Sequence, residues 1–286
     1  KTVMRLGVHT LPKFIRDTTD RNRTSPFAFT GNKFEFRMLG SANSIATTNI
    51  MLNGAVAEAL KVYADRLEAA DDFETALHDM IKKTIKDHKR IIFNGNGYDD
   101  AWIKEATEGR GLLNLRTTPD AYPALLEKKN TDMLISHRIF SMAEIKARYE
   151  TGLENYAKTV NIEGLTMVDM AVKEIIPAVE AYVKDLSESL AVKMAAVPTA
   201  SCKYETGLIE KLSSLVDSAS DAAAKLTEAL EKYQTINDVT DAACFIRDDI
   251  LEKMAELRSY CDKAETLTAK KYWPFPTYGD LMFGVK

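Results

Sequence analysis

No stretch of this chain approaches the roughly 18 consecutive apolar residues of a membrane-spanning helix. The basic, apolar and small-residue regions of an export signal are also missing, so nothing suggests secretion. Cysteine is scarce: Cys202, Cys244 and Cys261 are scattered on helical patterns, with no CxxC pair. An odd, dispersed set excludes a disulfide framework and fits reduced thiols in a cytoplasmic protein. Histidine is equally thin. His9, His78, His88 and His137 stand singly, with no HxxxH or HxxE spacing for a metal. Asn94-Gly95-Asn96-Gly97 lacks the GxGxxG or Gly-Lys-Thr context of a phosphate loop and reads as a turn between helices. No basic stripe with interleaved aromatics occurs, so neither nucleic acid nor membrane is an expected partner.

What is present is a globular composition, 45% hydrophobic and 28% charged over 286 residues, enough for one large domain or two ordinary ones. The net charge of −4 conceals an asymmetry. Residues 1–40 carry eight Lys/Arg against three acids, although the chain as a whole is acidic. A local basic excess of this kind points to anionic ligands near the N-terminus. Within it, Lys33-Phe34-Glu35-Phe36-Arg37-Met38 alternates strictly after the turn signal Thr30-Gly31-Asn32. In a strand this puts Lys33, Glu35 and Arg37 on one face and Phe34, Phe36 and Met38 on the other. Same-face neighbours lie about 6.5–7 Å apart, so three polar heads can converge on one ligand. A charged strand face is ordinarily just solvated. Here the aromatic face predicts deep burial on the opposite side, and Arg21 and Arg23 stand in the loop just before it. Glu35, flanked by guanidinium groups, stays ionised and suits a metal, although one carboxylate does not make a Mg²⁺ or Mn²⁺ site.

The rest reads as helix. Periodic patterns predict helices over about 42–69, 72–90 and 99–108, and another opening at Thr118-Pro119-Asp120. From the capping-box pattern Ser141-Met142-Ala143-Glu144 onward, long helices dominate. They are expected at 141–161, at 163–196 with a kink at Pro177, then after a break at 198–201, and at 239–267. Leu208, Leu212, Leu215, Ala219, Ala222, Leu226, Ala229 and Tyr233 alternate spacings of four and three, a seam that suits bundle core or, less readily, an intermolecular coiled coil. The expected fold is thus mainly α with a short N-terminal β segment. Its expected divisions are 1–140, an antiparallel helical bundle over 141–268, and an aromatic docking tail over 269–286. Tyr272 to Tyr278, with two prolines, is expected to be non-helical.

The N-terminal stretch resembles glutamine synthetase. The loop Asn22-Arg23-Thr24 followed by Lys33-Phe34-Glu35-Phe36-Arg37 is similar to that family's substrate-binding segment. Arg21 to Asn32, Lys89 to Tyr98 and Lys158 to Glu163 look like its type III branch, so the resemblance runs through essentially the whole chain. It implies the C-terminal part of an α+β catalytic domain followed by the bundle. It also implies synthesis of glutamine from glutamate, ammonia and ATP through γ-glutamyl phosphate, with Mg²⁺ or Mn²⁺, in a ring-based homo-oligomer. Carried onto matching positions, Glu35 is a metal ligand and Arg37 contacts glutamate and the transferring phosphoryl group. Arg23 neutralises phosphate, and Lys33 contacts nucleotide. Several cations around one phosphoryl group is transition-state charge stabilisation. One departure is Ala28, where the common type I pattern has a further Arg. The other metal carboxylates, the metal His and the β-grasp domain of the family lie upstream of this segment. The chain starts at Lys1 and is expected to be a portion of a longer subunit, inactive alone. The alternative reading is an interaction module, in which the bundle and tail mediate oligomerisation or regulation and the charged strand is only structural.

Overall fold

A computed structural model describes residues 3–4, 14–15, 27–29, 33–37, 40, 43–93 and 95–284. The chain divides into two compact units, Lys1–Leu115 with Lys128–Ser141, and Arg116–Glu127 with Met142–Lys286. The division is not a single boundary at residue 140. Residues 116–127 belong with the bundle, and 128–141 return to the first unit.

The first unit opens with two small antiparallel ladders. β1 (Val3–Met4) pairs with β2 (Phe14–Ile15), and β3 (Phe27–Phe29) pairs with β4 (Phe34–Phe36). Helix α1 (Ile45–Glu68) begins where the Ser44 hydroxyl accepts the Ala46 amide, satisfying one of the first turn's free donors. Asp72 does the same for α2 (Phe73–His88), accepting from Glu74 and Thr75. α3 (Asp100–Lys104) is capped by Asp99 and runs into a π-helical turn, Glu105–Gly109. In the second unit, Thr117 caps α4 (Thr118–Ala121), which continues as a 3₁₀ turn, Tyr122–Leu126. α5 (Lys128–Ser136) belongs to the first unit and packs on α1. Gly54 is buried there, with Ile139 and Met133 against it; a Cβ would lie 3.1 Å from Ile139 Cδ1. α1 and α2 otherwise leave Ile45, Val56, Leu60, Phe73, Ile81 and Ile85 exposed.

The second unit is an antiparallel bundle. α6 (Met142–Met170), a π turn (Ala171–Ile175) and α7 (Ile176–Ala196) form one continuous helix. The break expected near 161–163 is absent. Gly164 continues the helix at a point where the adjacent helix comes close: a Cβ there would sit 3.0 Å from Leu230. The irregularity falls at the π turn immediately before Pro177. Proline displaces the carbonyl four residues back, here Lys173, and a widened turn accommodates that displacement. α8 (Lys203–Tyr233) returns along α7. A third helix then runs forward as α9 (Val239–Phe245), a second π turn (Ile246–Ile250) and α10 (Leu251–Leu267).

Two apolar clusters fill the bundle. One gathers Ala157, Val160, Ala219, Leu226, Leu230, Ile246, Ile250 and Leu257; the other holds Val179, Val183, Leu208, Leu212 and Ala264. The α8 seam is therefore intramolecular core. Leu208, Leu212, Ala219, Ala222, Leu226 and Ala229 are buried, and the partly buried Leu215 and Tyr233 pack against the same clusters. All three cysteines are free, and burial pushes the Cys261 thiol up, as suits an inert core group.

The tail docks through Trp273 on the second cluster and through Tyr272, whose hydroxyl donates to Asp185. Residues 272–277 are non-helical, as expected. Tyr278 begins a short helix, α11 (Tyr278–Phe283), because Thr277 and Asp280 form a reciprocal capping box. Among the described residues no helix is long and apolar enough to cross a membrane.

Candidate functional site

The β3–β4 ladder sets the geometry of the charged face. Its register pairs Phe27 with Phe36, Ala28 with Glu35 and Phe29 with Phe34. Residues directly opposite in an antiparallel pair share a face, so Ala28 belongs with Glu35. The three sequence-predicted polar residues of β4 and its flanks do converge. Arg37 Nε and Nη2 both donate to Glu35 Oε2, at 3.3 and 3.0 Å, and Lys33 Nζ lies 3.4 Å from Oε1. The Arg37 guanidinium holds the Glu35 carboxyl below the usual carboxylate range. Partial burial opposes this, and Lys33 reinforces it. Arg37 Nη1 is buried and makes no hydrogen bond to any of the described residues. A buried donor without an acceptor is costly, and it fits an anionic ligand at this face.

Burial on the two faces reverses the expectation. Phe34 is 63% exposed and Phe36 36%, whereas Ala28 on the charged face is 2% exposed. Alternation identifies which residues share a face; which face is covered depends on non-local packing. Arg23, together with Arg21 and Asn22, lies outside the described residues, as do Thr30, Gly31, Asn32 and Met38.

The metal expectation meets a specific limit. Both Glu35 oxygens are engaged by cations, and among the described residues no group of three His, Cys, Asp or Glu is placed to hold an ion. A hard divalent cation takes about six oxygen ligands. The described residues alone therefore do not fit Mg²⁺ or Mn²⁺.

Two other features resolve into structure. After Asn94, which is not described, Asn96 Oδ1 accepts the Tyr98 amide in a local turn. Phe93 stacks on Trp102 at 3.7 Å, and Arg110 covers the same ring at 4.8 Å while donating to the Arg90 and Ile92 carbonyls. The Asp99 carboxylate caps the α3 N-terminus, accepting the Ala101 amide. His137 Nε2 lies 2.7 Å from Glu58 Oε2, tying the segment after α5 to α1, a long-range pair that no local spacing reveals. The Ala28–Glu35 register was also missed, although Phe27-Ala28-Phe29 before a turn signal carries the hairpin pattern that implies it.

Comparison with known proteins shows what the chain is similar to. Residues 76–194 match the family model of the glutamine synthetase C-terminal domain. A glutamine synthetase of Butyrivibrio fibrisolvens is 38% identical over 281 residues, covering 96% of this chain and 39% of the relative. A type-3 glutamine synthetase of Dictyostelium discoideum is 34% identical, covering 98% of this chain and 39% of its own length. A glutamine synthetase of Bacteroides fragilis is 33% identical, with 99% and 40% covered. The chain thus spans about two fifths of the length of the curated relatives it matches. Matched almost from end to end by relatives that bear this one name, type 3 among them, the chain belongs to the glutamine synthetase family.

Proposed function

We propose that, within a subunit of its relatives' length, this chain forms one wall of an active site that joins ammonia to glutamate. ATP is the co-substrate and γ-glutamyl phosphate the intermediate. The observation that carries this is the buried Nη1 of Arg37, without a hydrogen bond among the described residues, on a face where Lys33, Glu35 and Arg37 converge, in a chain of this family. Arg37 contacts glutamate and the transferring phosphoryl group, Lys33 the nucleotide, and Arg23 the departing charge; such preorganised cations stabilise charge that develops in the transition state. Glu35 contributes one carboxylate toward Mg²⁺ or Mn²⁺, whose role is to neutralise the phosphates. The remaining oxygens come from the three fifths of the relatives' length that this chain does not cover. The exposed Ile45, Val56 and Leu60 support the same division, because bare apolar faces ordinarily meet a partner surface. The protein is cytoplasmic in this reading. The bundle has a core of its own and serves assembly into a ring-based homo-oligomer.

The test is ligation in a relative-length subunit that carries this chain. Arg37→Ala lowers glutamate- and ammonia-dependent phosphate release roughly 10²-fold or more, with the oligomer intact by size-exclusion chromatography. Loss of assembly with unchanged specific activity in the residual oligomer favours the structural reading. The 286-residue chain alone shows no γ-glutamyl transfer; measurable transfer refutes the division of the site.

A further inference from the structure

The three charged residues surround a single small one. Ala28 stands directly opposite Glu35, so its diagonal neighbours on the same face are Lys33 and Arg37. Opposite Cβ atoms in such a pair are about 4.5–5.5 Å apart and diagonal ones about 7–8 Å. Ala28 is 2% exposed, whereas the Glu35 and Arg37 side chains keep 37% and 23% exposure. The methyl is thus buried on a face whose Glu35 and Arg37 side chains still reach solvent. Any larger side chain at position 28 extends toward the space in which Arg37 reaches Glu35 Oε2 and Lys33 reaches Oε1.

We propose that Ala28 is a positioning residue. Its small volume lets Arg37 close on Glu35 Oε2 and leaves Arg37 Nη1 as the donor available to the substrate anion. This rests on the proposed ligase site. Ala28 touches no reacting atom in this assignment and acts through Arg37. A bulkier residue displaces the guanidinium, and the loss appears in glutamate binding and turnover together.

The experiment compares Ala28→Leu in two backgrounds, Arg37 and Arg37→Ala, within a relative-length subunit carrying this chain. Steady-state kcat and KM for glutamate are measured, with thermal melting as the control for folding. In the Arg37 background, Ala28→Leu lowers kcat/KM about tenfold or more and raises KM for glutamate. In the Arg37→Ala background the same substitution costs little, because the group it displaces is gone; such non-additivity is the mark of coupled neighbours. Equal losses in both backgrounds overturn the inference and make Ala28 a packing residue. If Ala28→Leu does not fold, Ala28→Val, which adds less volume and suits a strand, is judged by the same criterion. An unsubstituted subunit without ligase activity overturns the reading of the site itself. An active one in which Ala28→Leu is silent overturns the Ala28 role alone.

Discussion

The ring of Tyr122 lies directly on the backbone of Gly152, so close that a Cβ at 152 would overlap the ring carbons and hydroxyl. Position 152 is glycine because the 3₁₀ turn holding Tyr122 packs on α6 without a side chain between them. Arg247 secures the same segment, donating from Nη1 to Asp120 Oδ1 at 2.6 Å. Two effects oppose each other in Gly152→Ala. Helix propensity favours alanine by about 1 kcal/mol. Displacing the tyrosine from a packed site costs more, so the variant is destabilised by about 1–3 kcal/mol net. Thermal melting of Gly152→Ala, Tyr122→Ala and the double variant checks this. Once Tyr122 is gone, Gly152→Ala stabilises.

That contact also shows why part of the fold was legible and part was not. The buried α8 seam from Leu208 to Ala229 could be read directly, since helical periodicity reports the face that a bundle covers. The continuity of the helix through Asn161 and Gly164 could not. Local propensity disfavours both residues, and the reason for Gly164 is Leu230 on another helix. The assignment of 116–127 to the bundle depends on Tyr122, Asp120 and Arg247, partners far away in sequence. At the charged face, alternation correctly grouped Lys33, Glu35 and Arg37. The exposure of Phe34 and Phe36 is set by what packs over the hairpin, on which a strand pattern is silent.

Arg138 has a positive φ of 55°, the left-handed region where a Cβ is unfavourable. It is there because it closes α5: its amide donates to Ile135 O and the Ile139 amide to Leu134 O, the two bonds of a Schellman end. Glycine is the natural residue at such a position. Arg138 is exposed, so no packing is lost on replacing it. Arg138→Gly therefore stabilises the first unit by about 1 kcal/mol, read as slower amide exchange over Lys128–Ser136.

In the bundle, Leu226 has no exposed surface and Leu215 is only partly buried. Leu226→Ala removes buried methyl groups and leaves a cavity, a loss of about 2–5 kcal/mol. Leu215→Ala costs less because solvent already reaches its site. Denaturant midpoints of the two variants rank Leu226→Ala as the weaker protein. The reverse order would place the bundle core on a different face of α8.

The tail carries a pH-dependent element whose sign follows from its partners. Lys270 Nζ, at 2.6 Å, and the Thr277 hydroxyl and amide hold the Asp280 carboxyl at a pKa of about 2. An unfolded Asp titrates near 3.9. A carboxyl whose folded value is depressed stabilises the folded form at pH above the unfolded value. That stabilisation is lost as pH falls through the folded one. The α11 cap is therefore complete at neutral pH and survives to about pH 4. It fades between there and about pH 2, where protonation removes the charge that pairs with Lys270 and strengthens the hydrogen bonds from Thr277. Amide chemical shifts of Tyr278–Phe283 followed through acid titration report the transition. Asp280→Asn abolishes it and frays the helix at neutral pH. Screening by salt weakens the exposed Lys270 contribution but leaves the Thr277 hydrogen bonds in place, so the transition moves upward in salt without vanishing.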